Sequence, residues 1–336
     1  MVTDLRFRRQ FMSSASALGV ASFFGASATA AADPPPEVKT IRLIHFPAIC
    51  LAPGYLAEDL LHAEGFEQVE YVEVTANTTG PAIGSGQVDI WVDAAPSLVN
   101  LLASTNSVVA LGGIHSGCYE LFGKMDVRAI RDLKGRSVSI STFGSTEHVF
   151  VSSMAAYVGM DPGKDIRWLV GGTSVDAMRA FSDGKADAFL GFAPQPHELR
   201  ARKIGHVIVN TTHDRPWSQY FCCMLTGNRE FVRKNPIATK RTIRAFLKAA
   251  DICATQPERA ARYMTDKGYA SSYALALEII GELPYRRWRD ANPEDTIRFH
   301  ALRLHEAGMI KISPNKLIAQ GTDWRFLNEL KKELKA

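Results

Sequence analysis

The chain has 336 residues, 46% of them hydrophobic and 22% charged, with a formal net charge of +4. That composition excludes a disordered or fibrous chain and allows two globular domains with a substantial core. Arg6, Arg8 and Arg9 against Asp4 place +2 in residues 1–32 and leave about +2 for the rest. No dense Lys/Arg stripe interleaves with aromatics, so no nucleic-acid partner is expected.

Residues 1–32 read as an export signal. "RFRRQFM" is a basic start, "FMSSASALGVASFF" a short apolar stretch of small residues, and "ASATAAAD" offers cleavage after Ala30 or Ala32. The apolar run is too short to span a bilayer. Arg8-Arg9 followed by Gln10-Phe11-Met12 resembles a twin-arginine signal, with Phe7 in place of the usual small hydroxyl residue. No cysteine follows closely, so a lipid anchor is not expected. Residues 33–39, including "DPPPE", read as a linker.

From Thr40 the order is strand ("TIRLIHF"), helix ("PGYLAEDLLHAEGF"), strand ("QVEYVEV"), short helix ("TTGPAIGSG") and strand ("VDIWV"). From Lys134 it repeats: "RSVSIS", "STEHVFVSSMAAYVGM", "DIRWLVG", "SVDAMRAFSDG", "ADAFLGF". Ser145 is the expected helix cap and Gly159 the expected stop. Alternating strands and helices predict a parallel sheet with helices on its faces, twice over. The two halves even share a phrase. "SGQVDIWVDAAP" and "SDGKADAFLGFAP" carry Gly86, Asp89 and Pro96 at the same spacing as Gly184, Asp187 and Pro194. Both phrases should form one kind of helix-turn-strand corner.

Each half adds a strand, "SVVALGGI" and "GHVIVN". The chain crosses between halves through "CYELFGK" and returns through "QYFCCML", two extended crossings that make a hinge. From "NREFVRKNP" onward the pattern is helical, with expected starts at Asn235-Pro236, Asp251 and Asn292-Pro293. The expected division is lobe 1 at 40–120 and 224–336 and lobe 2 at 121–223, with the C-terminal helices packed on lobe 1.

Five cysteines, at 50, 118, 222, 223 and 253, fit no zinc spacing, and an odd count in an exported chain leaves at least one thiol unpaired within it. Adjacent Cys222 and Cys223 could bridge only with strain. Most are expected to be small buried hydrophobes. No metal or other cofactor is expected. His45, His115, His148, His197, His206 and His213 form no i, i+4 pair, and no serine-nucleophile elbow or phosphate loop is present.

Ligands of open α/β sheets bind beyond the carboxyl ends of the strands. Those ends here are 46–50, 75–80, 93–97, 141–148 and 191–197. None contains Lys or Arg, which argues against a bare divalent anion. Phe46, Phe143, Phe192, Tyr119 and Tyr220 could form flat apolar walls. The expected ligand is a modest organic molecule, neutral or zwitterionic with one anionic group, and Asp93 would favour a donor on it.

"PGYLAEDLLHAEGF", "IGSGQVDIWVDAAPSL", "DLKGRSVSISTFGSTEHVFVSSMAAYVGM" and "FSDGKADAFLGFAPQP", in this order behind an export signal, resemble the substrate-binding proteins of ABC importers for nitrate, sulfonates, taurine and thiamine-precursor pyrimidines. The likeness covers roughly residues 38–330. It implies a type II periplasmic binding protein fold and a monomer that closes on one small molecule, such as a sulfonate or pyrimidine, in an interlobe cleft. It also implies delivery to a permease at the inner membrane. Carried onto this chain, it places ligand contacts at Phe46, Pro47, Cys50, Asn77, Thr78, Asp93, Ala94, Ser141, Thr142, Gly144, Ser145, Thr146, Gly191 and Phe192. The 141–146 segment opens a helix, whose free N–H groups and positive end suit an anionic group.

Two alternatives share that fold. One is an enzyme like those making the thiamine pyrimidine, which carry a cysteine-rich stretch similar to "FCCM" and a sacrificial histidine. Here Cys50 stands where those enzymes place the histidine. The other is a receptor that passes its solute to a sensor.

Overall fold

A computed structural model describes residues 34–46, 48–74 and 78–335; the expected export signal and part of the linker lie outside these residues. Ten strands fall into three sheets. β1 (Thr40–His45) and β2 (Gln68–Glu73) form a parallel pair. β3 (Ile90–Ala94), β4 (Val108–Ser116) and β10 (Phe221–Asn228) form a second sheet in the order β3-β10-β4, antiparallel throughout. β5 (Tyr119–Gly123), β6 (Ser137–Ile140), β7 (Arg167–Val170), β8 (Ala188–Phe192) and β9 (His206–Asn210) form the third, in the order β7-β6-β8-β5-β9. The first two sheets belong to one lobe and the third to the other.

The twin phrases build twin corners. Gly86 and Gly184 both take left-handed backbone, φ +78° and +75°, where a side chain would be strained. Asp89 N–H donates to Arg42 O at 2.9 Å, and Asp89 Oδ2 accepts from Arg42 N–H at 2.8 Å. Asp187 repeats the device on Ser137, with the same two distances. Each aspartate thus joins the start of its strand to a neighbouring strand by backbone and side chain together. In the first lobe this junction ties β3 to β1, so the continuous parallel sheet expected there is two smaller sheets bridged at one corner.

Asp187 also accepts from Ser137 Oγ at 2.7 Å and pairs with Lys124. Burial alone would raise its pKa, but these donors hold it below the usual carboxylate range. Its contribution to stability is therefore present above the ordinary pKa and lost as acid protonates the folded form. Asp187→Asn should cost roughly 1–3 kcal/mol at pH 7. The difference from the unmodified chain should shrink below about pH 4 in urea melts across pH.

Helix α1 (Ala52–Ala63) packs on the helix Pro236–Thr255, with Tyr55, Trp91 and Phe246 fully buried between them. A Cβ on Gly54 would lie 2.6 Å from the Trp91 ring, so the glycine of "PGY" is what lets the helix approach. Helices α2 (Thr79–Gly84) and α3 (Ala95–Ser104) complete that lobe's crossovers, and α4 (Thr146–Tyr157) follows β6 in the other. Asn235-Pro236 and Asn292-Pro293 open helices as expected. Asp251 does not. It lies inside Pro236–Thr255 and holds Arg289, with Nη2 2.5 Å from its Oδ2, while the next helix opens at Pro257. The C-terminal helices cover the first lobe. One of them, Pro293–Glu306, also reaches α4, where Phe150 meets the His300 ring edge-on at 5.6 Å. No helix among the described residues is long and apolar enough to cross a membrane.

Candidate functional site

The two lobes meet over a cleft of about 60 Å³, which is room for several waters or a small solute. The first lobe contributes Phe46, Cys50, Trp91, Asp93 and Ala94; the second contributes Tyr119, Thr146, Glu147 and Phe192. A wider outer chamber of about 300 Å³ shares Thr79, Asp93 and Thr146 with it and adds Ser97, Thr142 and Gly144. Neither is lined by Lys or Arg among the described residues.

Each wall is held from behind. The Tyr55 hydroxyl accepts from Phe46 N–H at 2.8 Å and donates to Phe46 O at 2.6 Å, which pins the loop after β1. Tyr285 donates to Cys50 O at 3.0 Å. The Phe46 and Phe192 rings face each other across the lobes at 6.0 Å, and Tyr119 lies 5.8 Å from Phe192. Ser97 and Thr146 share a hydrogen bond across the cleft at 2.8 Å. That bond exists only while the lobes are together. Ser97→Ala should therefore weaken capture of a solute about 2- to 10-fold, the worth of one such bond, without touching the inner cleft. Calorimetric titration would show it.

Asp93 is the cleft's titratable centre. Burial pushes its pKa up to about 7, against the Ala94 N–H that donates to it at 2.8 Å; the nearby Cys223 adds to the rise. Glu147 is buried at the start of α4, where Ser141 Oγ donates to it at 3.0 Å. Ser145 caps that helix through His148 N–H at 3.4 Å, and Gly144 N–H donates to His148 Nδ1 at 3.1 Å. The helix start is therefore largely occupied by its own residues, and a buried carboxylate already complements its positive end.

Of the residues expected to touch ligand, Phe46, Cys50, Asp93, Ala94, Thr146 and Phe192 line the inner cleft, and Thr142 and Gly144 line the outer chamber. Thr78 precedes Thr79, which lines both. Ser141 and Ser145 stand behind the wall as donor and cap, and Gly191 lies against Gln195. Pro47 and Asn77 fall outside the described residues. Tyr220 is no cleft wall; it stacks on Phe299 at 4.1 Å, drawn there by the apolar face of Pro293–Glu306. Trp91, Cys118, Glu147 and Cys223 were not expected in the lining. Cys118 and Cys223 lie in the two hinge crossings, whose convergence no local pattern announces.

The crossings converge tightly. Gly117 and Cys118 both have left-handed backbone, φ +82° and +85°, and a Cβ on Gly117 would strike Thr212, just after β9, at 2.3 Å. Thr211 locks the first crossing to the end of β9, its hydroxyl accepting from Tyr119 N–H at 3.0 Å and donating to Tyr119 O at 2.8 Å. Four of the five cysteines gather at this junction, all buried, with Cys118 Sγ 3.0 Å from Cys222 Sγ. Hydrogen bonds from Cys118, Cys222 and Cys50 hold the Cys223 thiol well below its usual range although burial opposes them. Burial alone would lower His115, but Cys223 raises it. Cys50 and His115 lie together in this cluster, and His148 packs edge-on against Trp168 at 4.7 Å.

The chain resembles the periplasmic nitrate-binding protein NrtA of Synechocystis PCC 6803, with a TM-score of 0.72 and 16% identity over 90% of each chain. It resembles the alkanesulfonate-binding protein SsuA of Xanthomonas axonopodis pv. citri, solved with MOPS, with a TM-score of 0.70 and 15% identity over 88% of this chain and 100% of that one. A Candida albicans protein described as having the generic periplasmic binding protein fold aligns with a TM-score of 0.67 and 16% identity over 85% of this chain and 96% of that one. At these identities the likeness is one of fold, and that fold is the type II periplasmic binding protein. A search of curated proteins finds no match. Residues 63–260 match the family described as NMT1/THI5 like, so the chain belongs to the NMT1/THI5-like family.

Proposed function

We propose that this is an exported solute-binding protein that closes on one small organic molecule and hands it to an ABC-type permease. The observation that carries the reading is the interlobe cleft itself. Aromatic rings approach it from both sides, a hydrogen bond crosses it, and no cationic side chain lines it among the described residues. Such a lining suits a compact organic solute with an apolar body and a donor group facing Asp93. It does not suit a bare divalent anion, which ordinarily recruits arginine. The relatives of similar fold bind nitrate and an alkanesulfonate, which supports the class of function and leaves the solute to this chain's own residues.

In this reading lobe 1 takes roughly 40–120 and 224–336 and lobe 2 roughly 121–223, with both boundaries falling inside β5 and β10, and the protein acts as a monomer in the periplasm after removal of residues 1–32. An anionic group on the solute would reach the Thr146 and Glu147 amides, the donors that remain at the start of α4, from the outer chamber. Thr146→Pro, which removes one of those N–H donors at a first helical position that tolerates proline, tests that corner. Unchanged affinity would remove it from the site.

The deciding experiment is native mass spectrometry on protein purified from its own host, before and after denaturation. A small molecule that leaves intact on unfolding is the expected result and names the solute. A covalent adduct, or a bound compound that the protein converts, would replace this reading with the enzyme alternative. Sulfonates and pyrimidines can then be screened for a rise in melting temperature. Genes for a permease and an ATPase beside this one would favour import over sensing.

A further inference from the structure

The hinge junction holds more sulfur than packing requires. Cys50 follows β1, Cys118 lies in the first crossing, Cys222 and Cys223 open β10 in the second, and His115 lies near the end of β4. All five are at most 8% exposed. Donor atoms of Cys50, His115 and Cys118 all lie within 4.8 Å of one another, and so do those of Cys118, Cys222 and Cys223. Cys118 is common to both triads, and it is a non-glycine residue held at φ +85°. Strain of that kind persists only where surrounding structure enforces it.

His115 supplies an independent sign. Its Nδ1 lies 3.1 Å from the Ser116 carbonyl, so Nδ1 carries the proton and Nε2 presents a lone pair. That Nε2 is buried and has no hydrogen-bond partner among the described residues. A histidine that ligates a metal typically donates its other N–H to a backbone carbonyl in this way.

We propose that four donors from the group Cys50, Cys118, Cys222, Cys223 and His115, with Cys223 and His115 among them, form a binding site for one thiophilic cation of the zinc or cuprous class, on the floor of the interlobe cleft. The donor set is sulfur and imidazole without an oxygen ligand, which selects soft or borderline cations over calcium or magnesium. Tetrahedral thiolates at about 2.3 Å from a metal stand about 3.8 Å apart. That lies between the 3.0 Å of Cys118–Cys222 and the 4.8 Å limit of the triads, so small side-chain rotations suffice. Cys50, Cys118 and Cys223 line the cleft, which supplies the entry path. Binding releases the protons of the ligating thiols to solvent, with no change of oxidation state. The site does not depend on which solute the cleft takes.

The test is titration of the purified, reduced, metal-free chain with Co2+ under argon. The expected result is sulfur-to-cobalt charge-transfer absorption with the visible bands of tetrahedral cobalt, saturating at one equivalent and bleached by Zn2+. Competition between Zn2+ and Cu+ against chromogenic chelators then identifies the preferred cation. X-ray absorption at the zinc edge should show a mixed shell with sulfur at about 2.3 Å. Cys223→Ser and His115→Gln should each weaken zinc binding roughly 100-fold, and Cys253→Ser, in the helix Pro236–Thr255 and in neither triad, should not. Absence of thiolate charge transfer in the reduced unmodified chain overturns the proposal, whatever the variants do. So do bands of undiminished intensity in a folded Cys223→Ser. Solute binding, read as a melting shift on the metal-free protein, fails or succeeds separately.

Discussion

Glu64→Ala is expected to cost the fold roughly 3–5 kcal/mol at pH 7, the usual penalty for stranding the partner of a buried ion pair. Glu64 closes the C-terminal end of α1 and is 7% exposed, as is Arg244. Arg244 grips it with two nitrogens, Nε at 2.9 Å from Oε1 and Nη2 at 2.8 Å from Oε2, while Lys248 stands 3.3 Å from Oε1. Arg244 also reaches Glu333 at 2.6 Å, so the cluster ties α1, the helix Pro236–Thr255 and the last helix together. Burial by itself raises the Glu64 pKa, and Arg244 with Lys248 brings it below the usual range. Glu64 therefore contributes above the ordinary carboxylate pKa, and its contribution is lost as pH falls through the depressed value of the folded state. The gap between Glu64→Ala and the unmodified chain in urea melts should narrow in acid. Glu64→Met with Arg244→Met should recover only part of the loss, because Arg241 and Lys248 still lose the carboxylate they face, while Glu333 keeps Lys240. A cost under about 1 kcal/mol for Glu64→Ala would mean that water reaches the cluster and screens it.

That cluster also marks what the sequence could and could not reveal. Helix and strand periods, with the Gly86/Gly184 and Asp89/Asp187 repeat, carried the two-lobe plan because each is a local signal. Ser145 and Asn292 were legible as caps for the same reason. Asp251 misled because an aspartate inside a long amphipathic helix looks like a start until Arg289, far along the chain, is seen to hold it. The cleft followed from a topological rule about strand ends, so Phe46, Asp93 and Phe192 could be named in advance. The cysteine junction could not. Its members are separated by up to 173 residues, from 50 to 223, and meet only because the two hinge crossings pass each other where Ser116 pairs with Phe221 and Cys118 meets Cys222. The wall residues Trp91 and Glu147 escaped because a buried tryptophan in a strand and a glutamate in a first helical turn each have an ordinary structural explanation.

Asp93→Asn is expected to change both stability and solute capture, with opposite dependence on pH. In the empty protein Asp93 titrates at about 7, well above a free carboxyl. Between about pH 4 and 7 the folded chain keeps a proton that the unfolded chain releases, so this residue's contribution falls as pH rises through that window. A shift of about three units would correspond to about 4 kcal/mol. Asp93 is only half-buried in an open-mouthed cleft, and screening reduces this to roughly 1–2 kcal/mol. Asp93→Asn has no proton to lose. It should melt progressively higher relative to the unmodified chain as pH is raised from 5 to 8. Capture runs the other way. A solute that presents an amine or another donor to Asp93 gains most when the carboxyl is ionised, so its affinity should rise through pH 7. Asp93→Asn should abolish that rise and lose roughly 10- to 100-fold at pH 8, the worth of a charge-assisted hydrogen bond. Calorimetric titration at several pH values separates the possibilities. Should affinity fall through pH 7, the solute brings its anionic group to Asp93 and binds the protonated carboxyl. The donor-facing orientation would then be reversed, with the anionic end on the cleft floor beside the cysteines.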